Sequence, residues 1–80
     1  MFNPKVLVKY RKEKKLSVSR LAAELTVRGF NVTRQAIENW EHKRNKPSIE
    51  GLVSLASFFD KPMTAFFDQK HKKDGYVLRG

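Results

Sequence analysis

The 80-residue sequence contains no cysteine, which excludes disulfide bonds, thiolate nucleophiles and cysteine-based zinc sites. Its two histidines, His42 and His71, are too few and too scattered for a histidine metal cluster. The four glycines are isolated, so no loop of the phosphate-cradling kind is present. The acidic residues form no metal or general-acid pair, and no serine has a histidine partner in its sequence context. We therefore expect no enzyme activity, no cofactor and no metal.

Long apolar runs and acidic residues are also in short supply. No apolar stretch approaches the roughly 18 residues of a membrane span, and the charged N-terminal segment does not resemble a signal peptide. Only 8 Asp and Glu stand against 17 Lys and Arg, which gives a net charge of +9. Such a large positive net charge in one small domain favours an anionic partner, above all nucleic acid. The sequence predicts a cytoplasmic protein without membrane association.

Caps and breakers along the chain predict five short helices. Asn3 and Pro4 open the first helix, which we expect to reach about Lys15, because asparagine caps helices and proline suits the first helical position. Gly29 supplies the left-handed residue that ends many helices, and the last helix is a short one at residues 63–67. The candidate N-caps of the four longer helices are Asn3, Ser17, Thr33 and Ser48.

Apolar residues recur at helical spacing and define one candidate core. Its large members are Leu7, Leu16, Leu21, Leu25, Ile37, Trp40, Leu52, Leu55, Phe59, Phe66 and Phe67. We predict that Trp40 is a core residue and not a surface on which a nucleic-acid base stacks, because it shares a helix face with Ile37. The phenylalanines exceed what one small core needs, so we expect Phe58 or Phe66 to form a dimer patch.

The chain divides into a helical domain at residues 1–67 and a basic tail at residues 68–80. Two alternatives remain open for the tail. Polar termini are flexible by default, whereas residues 76–78 are the one strand-like triplet in the chain and could pair with a sheet edge or another copy.

The third helix carries an unusual polar face. One side of it bears Arg34, Gln35, Glu38 and Asn39, and Ile37 and Trp40 occupy the other. Arginine can bind guanine through two hydrogen bonds, and glutamine or asparagine can bind adenine in the same way. Because the DNA major groove admits one helix, this face is predicted to read base edges. The basic loop that follows is expected to neutralise phosphates through Lys43, Arg44 and Lys46.

From about Lys5 to Phe67 the chain resembles the Cro/repressor-type (Xre-like) helix-turn-helix family. The resemblance rests on the segments LSVSRLAAEL and VTRQAIENWEHKRNKPSIEGLVSLASFF, in order and at the family's spacing. It implies a compact all-α domain of five helices, like that of the lambda repressor. It also implies a sequence-specific transcriptional regulator, a repressor of a phage, plasmid or other mobile element. Such a repressor binds double-stranded DNA as a homodimer on an inverted repeat.

The resemblance assigns roles to individual residues. The family's base-reading positions are matched by Arg34, Gln35 and Asn39. Thr33 matches a position that caps the recognition helix and touches phosphate. Arg11 and Glu41 match a partly buried ion pair between the first and third helices, where either charge alone would cost several kcal/mol (about 3–5).

Three departures from the family pattern affect the predicted interface. Val18 stands where the family often has a phosphate-binding glutamine, although the backbone N–H groups of that helix start can still attract phosphate. Lys43 stands where glycine is common, which requires either mild strain or another loop path. The turn before the third helix is four residues longer than usual, so we expect Arg28 and Asn31 to contact the DNA backbone near the groove edge.

Protein-interaction modules such as antitoxins also use this fold. The alternative function is therefore that of an antitoxin or another protein-interaction module. An extended apolar or acidic arm would favour that alternative, whereas the tail of this chain is short and basic. An activator that contacts polymerase has the same sequence features as a repressor.

Overall fold

The structure of the protein, a computed structural model, describes residues 1–68. This part of the chain contains four α-helices and one 3₁₀ helix, which confirms the predicted all-α fold. The helices are α1 (Pro4–Glu13), α2 (Val18–Val27), α3 (Arg34–Glu41), α4 (Ile49–Phe59) and the 3₁₀ helix (Met63–Phe66). The fifth predicted helix is thus one 3₁₀ turn. The two expectations for the tail fall on residues 69–80, outside the described residues.

Each α-helix begins where the sequence predicts a cap. The Asn3 side-chain oxygen accepts a hydrogen bond from the Lys5 backbone amide, and Pro4 occupies the first helical position. The hydroxyls that cap the other three helices each accept from the amide of the third helical residue, at 3.0–3.1 Å; they belong to Ser17, Thr33 and Ser48. A cap of this kind contributes about 1 kcal/mol to stability.

All four α-helices end in the same backbone arrangement. A residue with positive φ follows the last turn, and the next amide donates to the carbonyl five positions back, at 2.9–3.1 Å. This Schellman motif satisfies carbonyls that the helix leaves unpaired. The positive-φ residues are Lys15, Gly29, Lys43 and Asp60. Lys43, with φ of 62°, therefore takes the strained path rather than another loop path, at a cost of about 1 kcal/mol relative to glycine.

The first helix is shorter than predicted. It ends at Glu13, with Lys14 as its C-cap, two residues before the expected end at Lys15. The left-handed conformation of Lys15 (φ of 58°) turns the chain so that Leu16 packs against the core. Left-handed lysine cannot be read from helix periodicity, which explains the error.

The core confirms most of the predicted set. Among residues 1–68, the largest fully buried side chains are those of Leu7, Leu21, Leu25, Ile37, Leu55 and Phe66. Trp40, Leu52 and Phe59 are also buried, whereas Leu16 and Phe67 are only partly buried. The prediction that Phe66 forms a dimer patch is wrong, because its ring is enclosed and packs edge-on against Tyr10 at 5.4 Å.

Phe2 is a core residue that the sequence patterns did not predict. The N-terminal segment pairs with the end of the 3₁₀ helix: the Asn3 amide donates to the Phe66 carbonyl at 2.7 Å, and Phe2 and Phe67 form an isolated antiparallel bridge. This pairing holds the Phe2 side chain in the core cluster. The two ends of the helical domain are therefore joined.

The longer turn between α2 and α3 packs onto α4. The Thr26 hydroxyl bonds to both the amide and the carbonyl of Val32, at 3.4 and 3.3 Å, which closes the turn. Phe30 in the middle of the turn lies against Gly51, where a Cβ would come within 3.5 Å of its ring and 3.2 Å of Pro47. The turn thus lies beside the first turns of α4.

Candidate nucleic-acid interface

Helix α3 separates its residues into a packed face and a polar face. Ile37 is fully enclosed and Trp40 is 6% exposed. On the other side, Arg34 and Gln35 are exposed and Asn39 is half-buried. The structure therefore brings the three predicted base-reading residues together on one outward surface, which we call the reading face.

A carboxylate also lies on the reading face. Glu38 Oε2 is 3.3 Å from the Arg34 guanidinium, and the Arg34 side chain remains 61% exposed. An exposed pair of this type contributes at most about 1 kcal/mol. Arg34 can therefore leave Glu38 for a base or phosphate at little cost. The sequence analysis placed Glu38 on this face without giving it a role, although its spacing of four from Arg34 is the sequence signal for such a pair.

The reading face is connected to the basic loop by a side-chain hydrogen bond. Asn39 Oδ1 accepts from Gln35 Nε2 and from Arg44 Nη1, each at 3.2 Å. The backbone repeats the connection, because the Arg44 amide donates to the Asn39 carbonyl at 2.9 Å. The positive φ of Lys43 makes this possible by reversing the chain directly after α3. No sequence pattern indicates the link between Asn39 and Arg44, since it depends on that one backbone angle.

The basic loop extends the charge of the reading face. The predicted phosphate contacts Lys43, Arg44 and Lys46 are all exposed, and Thr33 at the other end of α3 is exposed as well. The Thr33 hydroxyl already caps α3 through the Ala36 amide at 3.1 Å. Cationic side chains consequently occupy the loop at the end of α3, beside the amide and guanidinium groups of the reading face.

Arg11 and Glu41 form a nearly buried ion pair between α1 and α3. Arg11 Nε and Nη2 donate to the two Glu41 carboxylate oxygens at 2.6 and 3.0 Å, and Nη1 donates to the Leu16 carbonyl at 2.9 Å. The side chains are 13% and 7% exposed. Because all the charged atoms have partners, the pair fixes the orientation of α3 without leaving a charge unpaired.

The two residues predicted from the longer turn occupy different surroundings. Asn31 is exposed in the turn that leads into Thr33 and α3. The Arg28 guanidinium instead lies 4.8 Å from the centroid of the Phe58 ring, near the end of α4. The structure does not bring Arg28 to the reading face, because the extra turn extends along α4. Phe58 is half-buried beneath Arg28 and Lys14.

Val18, which replaces the usual glutamine at the start of α2, packs against the core as a partly buried side chain. The α2 start therefore offers backbone N–H groups and the exposed Ser19 and Arg20. Arg20 is paired with Glu24 at 2.9 Å.

The comparison with protein-family models matches the helix-turn-helix family of the Cro/C1 type over residues 7–66. The match covers most of the chain, and the protein belongs to this family of DNA-binding transcription regulators. Searches of curated proteins and of solved structures gave no significant match. Within residues 1–68, no helix has the length and apolar character needed to cross a membrane. The same part of the chain contains no group of three or more potential metal ligands.

Proposed function

We propose that this protein is a sequence-specific regulator that inserts α3 into the DNA major groove and reads base edges with its polar face. The observation that carries the proposal is the division of α3 into a packed face and an outward face bearing Arg34 and Gln35. A helix held by the core on one side can present the other side to DNA without rearrangement. No catalytic role is proposed for any residue.

The chemistry of the outward side chains suggests a role for each. Arg34 would bind guanine O6 and N7, and Gln35 would bind adenine through its amide. Asn39 supports this face through its hydrogen bonds with Gln35 and Arg44. The proposed backbone contacts, which position the domain without reading sequence, are Asn31, Thr33, Lys43, Arg44 and Lys46. Arg28 could join them only by leaving the Phe58 ring.

A homodimer is the assembly that we propose for DNA binding. A shallow groove between the α2–α3 turn and α4 is lined by Phe30, Ile49 and Val53, together with Arg28 and Glu50. Ile49 is 70% exposed and Val53 48% exposed. A second copy is the occupant that we propose for this surface, because two-fold symmetry would allow each arginine to approach the opposite glutamate around an apolar centre. Two recognition helices about 34–36 Å apart would then read an inverted repeat.

Repression by occlusion follows from this arrangement. A dimer that covers successive major grooves of a promoter excludes polymerase from the same site. We place the protein in the cytoplasm of a bacterial or phage-infected cell, where such DNA is accessible.

Selection from a random duplex pool at near-physiological salt tests the proposed DNA reading. The wild-type protein should enrich an inverted repeat, and Arg34→Ala should make one base pair degenerate, since each bidentate contact contributes about 1–3 kcal/mol of discrimination. Salt-sensitive binding without an enriched motif would refute sequence-specific reading. That outcome would favour the alternative function, an antitoxin or other protein-interaction module.

The dimer surface is tested separately by sedimentation equilibrium. Ile49→Lys places a charge at the centre of the groove and should yield monomers that bind one half-site. Val27→Lys is the matched control, because Val27 is 83% exposed on α2 and does not line the groove. An unchanged dimer in Ile49→Lys would contradict the proposed surface.

A further inference from the structure

On the reading face, the Asn39 side chain contacts both the neighbouring residue Gln35 and the basic loop. Its Oδ1 atom accepts from Gln35 Nε2 and from Arg44 Nη1, each at 3.2 Å. Asn39, in the last turn of α3, is also half-buried, whereas Gln35 is exposed. These contacts limit what its amide group can offer to DNA.

The Arg44 contact determines how the two amides are oriented. A guanidinium carries only donors, so the Asn39 atom that faces it must be the oxygen. The Gln35 atom that faces the same oxygen must then be the Nε2 donor. Gln35 consequently has a defined orientation, although its side chain is exposed.

Gln35 and Asn39 differ in the hydrogen-bonding groups that remain free for DNA. A carbonyl oxygen accepts two hydrogen bonds, and both positions on Asn39 Oδ1 are occupied. Adenine recognition requires one free acceptor and one free donor on the same amide. Gln35 keeps its Oε1 acceptor and the second N–H of Nε2, whereas Asn39 keeps only donors. Gln35 can therefore bind adenine without breaking a contact, and Asn39 cannot.

We propose that Asn39 is a positioning residue and does not read a base itself. Asn39 orients the Gln35 amide toward an adenine. It also holds the Arg44 guanidinium beside Gln35, where Arg44 faces the adjacent phosphates. This inference revises the base-reading role that the sequence assigns to Asn39, and it rests on the proposed function. Specificity at the Gln35 base pair then depends on two residues, of which only one touches DNA.

The test compares Asn39→Ala and Asn39→Asp with Gln35→Ala on duplexes that carry every single-base change in the selected half-site. Aspartate keeps an acceptor for Gln35 and Arg44 but removes the donor, whereas alanine removes both. We expect Asn39→Ala to lower discrimination about tenfold at the base pair that Gln35→Ala affects, the loss of one bidentate contact. Asn39→Asp should retain that discrimination and weaken binding to all sequences alike, through its added negative charge.

The double variant sharpens the comparison. Gln35→Ala combined with Asn39→Ala should lose no more discrimination than Gln35→Ala alone, because the two residues act on one base pair. If Asn39 reads a base itself, Asn39→Ala will lose discrimination at a pair that Gln35→Ala leaves unchanged. That result, or equal loss in Asn39→Asp, would overturn the proposal. Thermal unfolding followed by circular dichroism verifies that each variant is folded.

A measurement on the free protein separates this inference from the proposed function. In a ¹⁵N-edited NMR spectrum, the Gln35 side-chain amide resonances should move toward those of a solvent-exposed glutamine in Asn39→Ala, and should not do so in Asn39→Asp, which keeps the acceptor. Unchanged Gln35 resonances in Asn39→Ala would overturn the positioning role whether or not the protein selects a DNA sequence. A wild-type protein that selects no sequence would refute the proposed function instead.

Discussion

The two faces of α3 lie on one eight-residue helix and are shaped by different physical forces. The packed face consists of Ile37, Trp40 and the paired Glu41, all of which have little or no exposed surface. The reading face consists of side chains that bond to each other and to the basic loop. Burial holds the first face in place, whereas exposed hydrogen bonds orient the second. Changes on the packed face should thus affect stability, and changes on the reading face should affect DNA binding.

The largest stability effect is expected from breaking the pair that anchors the packed face. Arg11→Met leaves the Glu41 carboxylate nearly buried without its partner, which should lower the free energy of unfolding by about 3–5 kcal/mol. Arg20→Met is the control, since it removes an exposed arginine from its pair with Glu24 and should cost at most about 1 kcal/mol. Urea denaturation measures both. Equal losses would show that burial does not distinguish the two pairs.

A matched pair of alanine variants on α3 compares its faces directly. Ile37→Ala deletes a fully enclosed side chain and should lower the free energy of unfolding by about 2–5 kcal/mol. Gln35→Ala changes an exposed position and should stay within about 0.5 kcal/mol of wild type. Thermal unfolding followed by circular dichroism provides the comparison. Similar values for the two variants would contradict the assignment of faces.

Within the basic loop, Lys46 should act through its charge alone. Lys46→Ala should weaken binding to every duplex alike and reduce the slope of log affinity against log salt by about 0.9 per protomer, the value for one lost phosphate contact. Lys9→Ala, an exposed change on α1, is the matched control for loss of one positive charge. Fluorescence anisotropy over a range of salt concentrations measures the slopes. The same slope for both variants would contradict a phosphate contact by Lys46.

The smallest effect concerns the left-handed lysine at the junction of α3 and the loop. Lys43→Gly should raise the free energy of unfolding by about 0.5–1 kcal/mol, because glycine adopts positive φ without strain. Lys15→Gly should give a similar gain at the end of α1. Only Lys43→Gly should also weaken DNA binding. A stability loss in both variants would show that the lysines are not strained.

The sequence predicted the features that depend on local patterns. The four helix caps, the left-handed Gly29 and the packed face of α3 follow from residue type and spacing, and the structure confirms them. The family resemblance supplied the positions of Arg11 and Glu41, which no local pattern indicates. The all-α fold could therefore be predicted before any distance was known.

Several features that the sequence patterns did not indicate depend on contacts made only in the folded chain. Phe2 is buried because the N-terminal segment pairs with the chain near Phe66, a contact that spans the whole domain. Arg28 lies on the Phe58 ring because the longer turn follows α4, and turn length alone does not give that direction. The orientation of Gln35 depends on Arg44 and on the backbone angle at Lys43. Such features require the three-dimensional arrangement.

The most direct test of DNA reading by α3 compares dissociation constants for the selected duplex and a scrambled duplex. The wild-type protein should prefer the selected duplex by at least about 10³-fold. Combining Arg34→Ala with Gln35→Ala should lower that preference by about 30-fold or more per half-site, since two bidentate contacts of about 1–3 kcal/mol each are lost. Binding to the scrambled duplex should change far less. An unchanged preference in the double variant would show that α3 does not read the DNA.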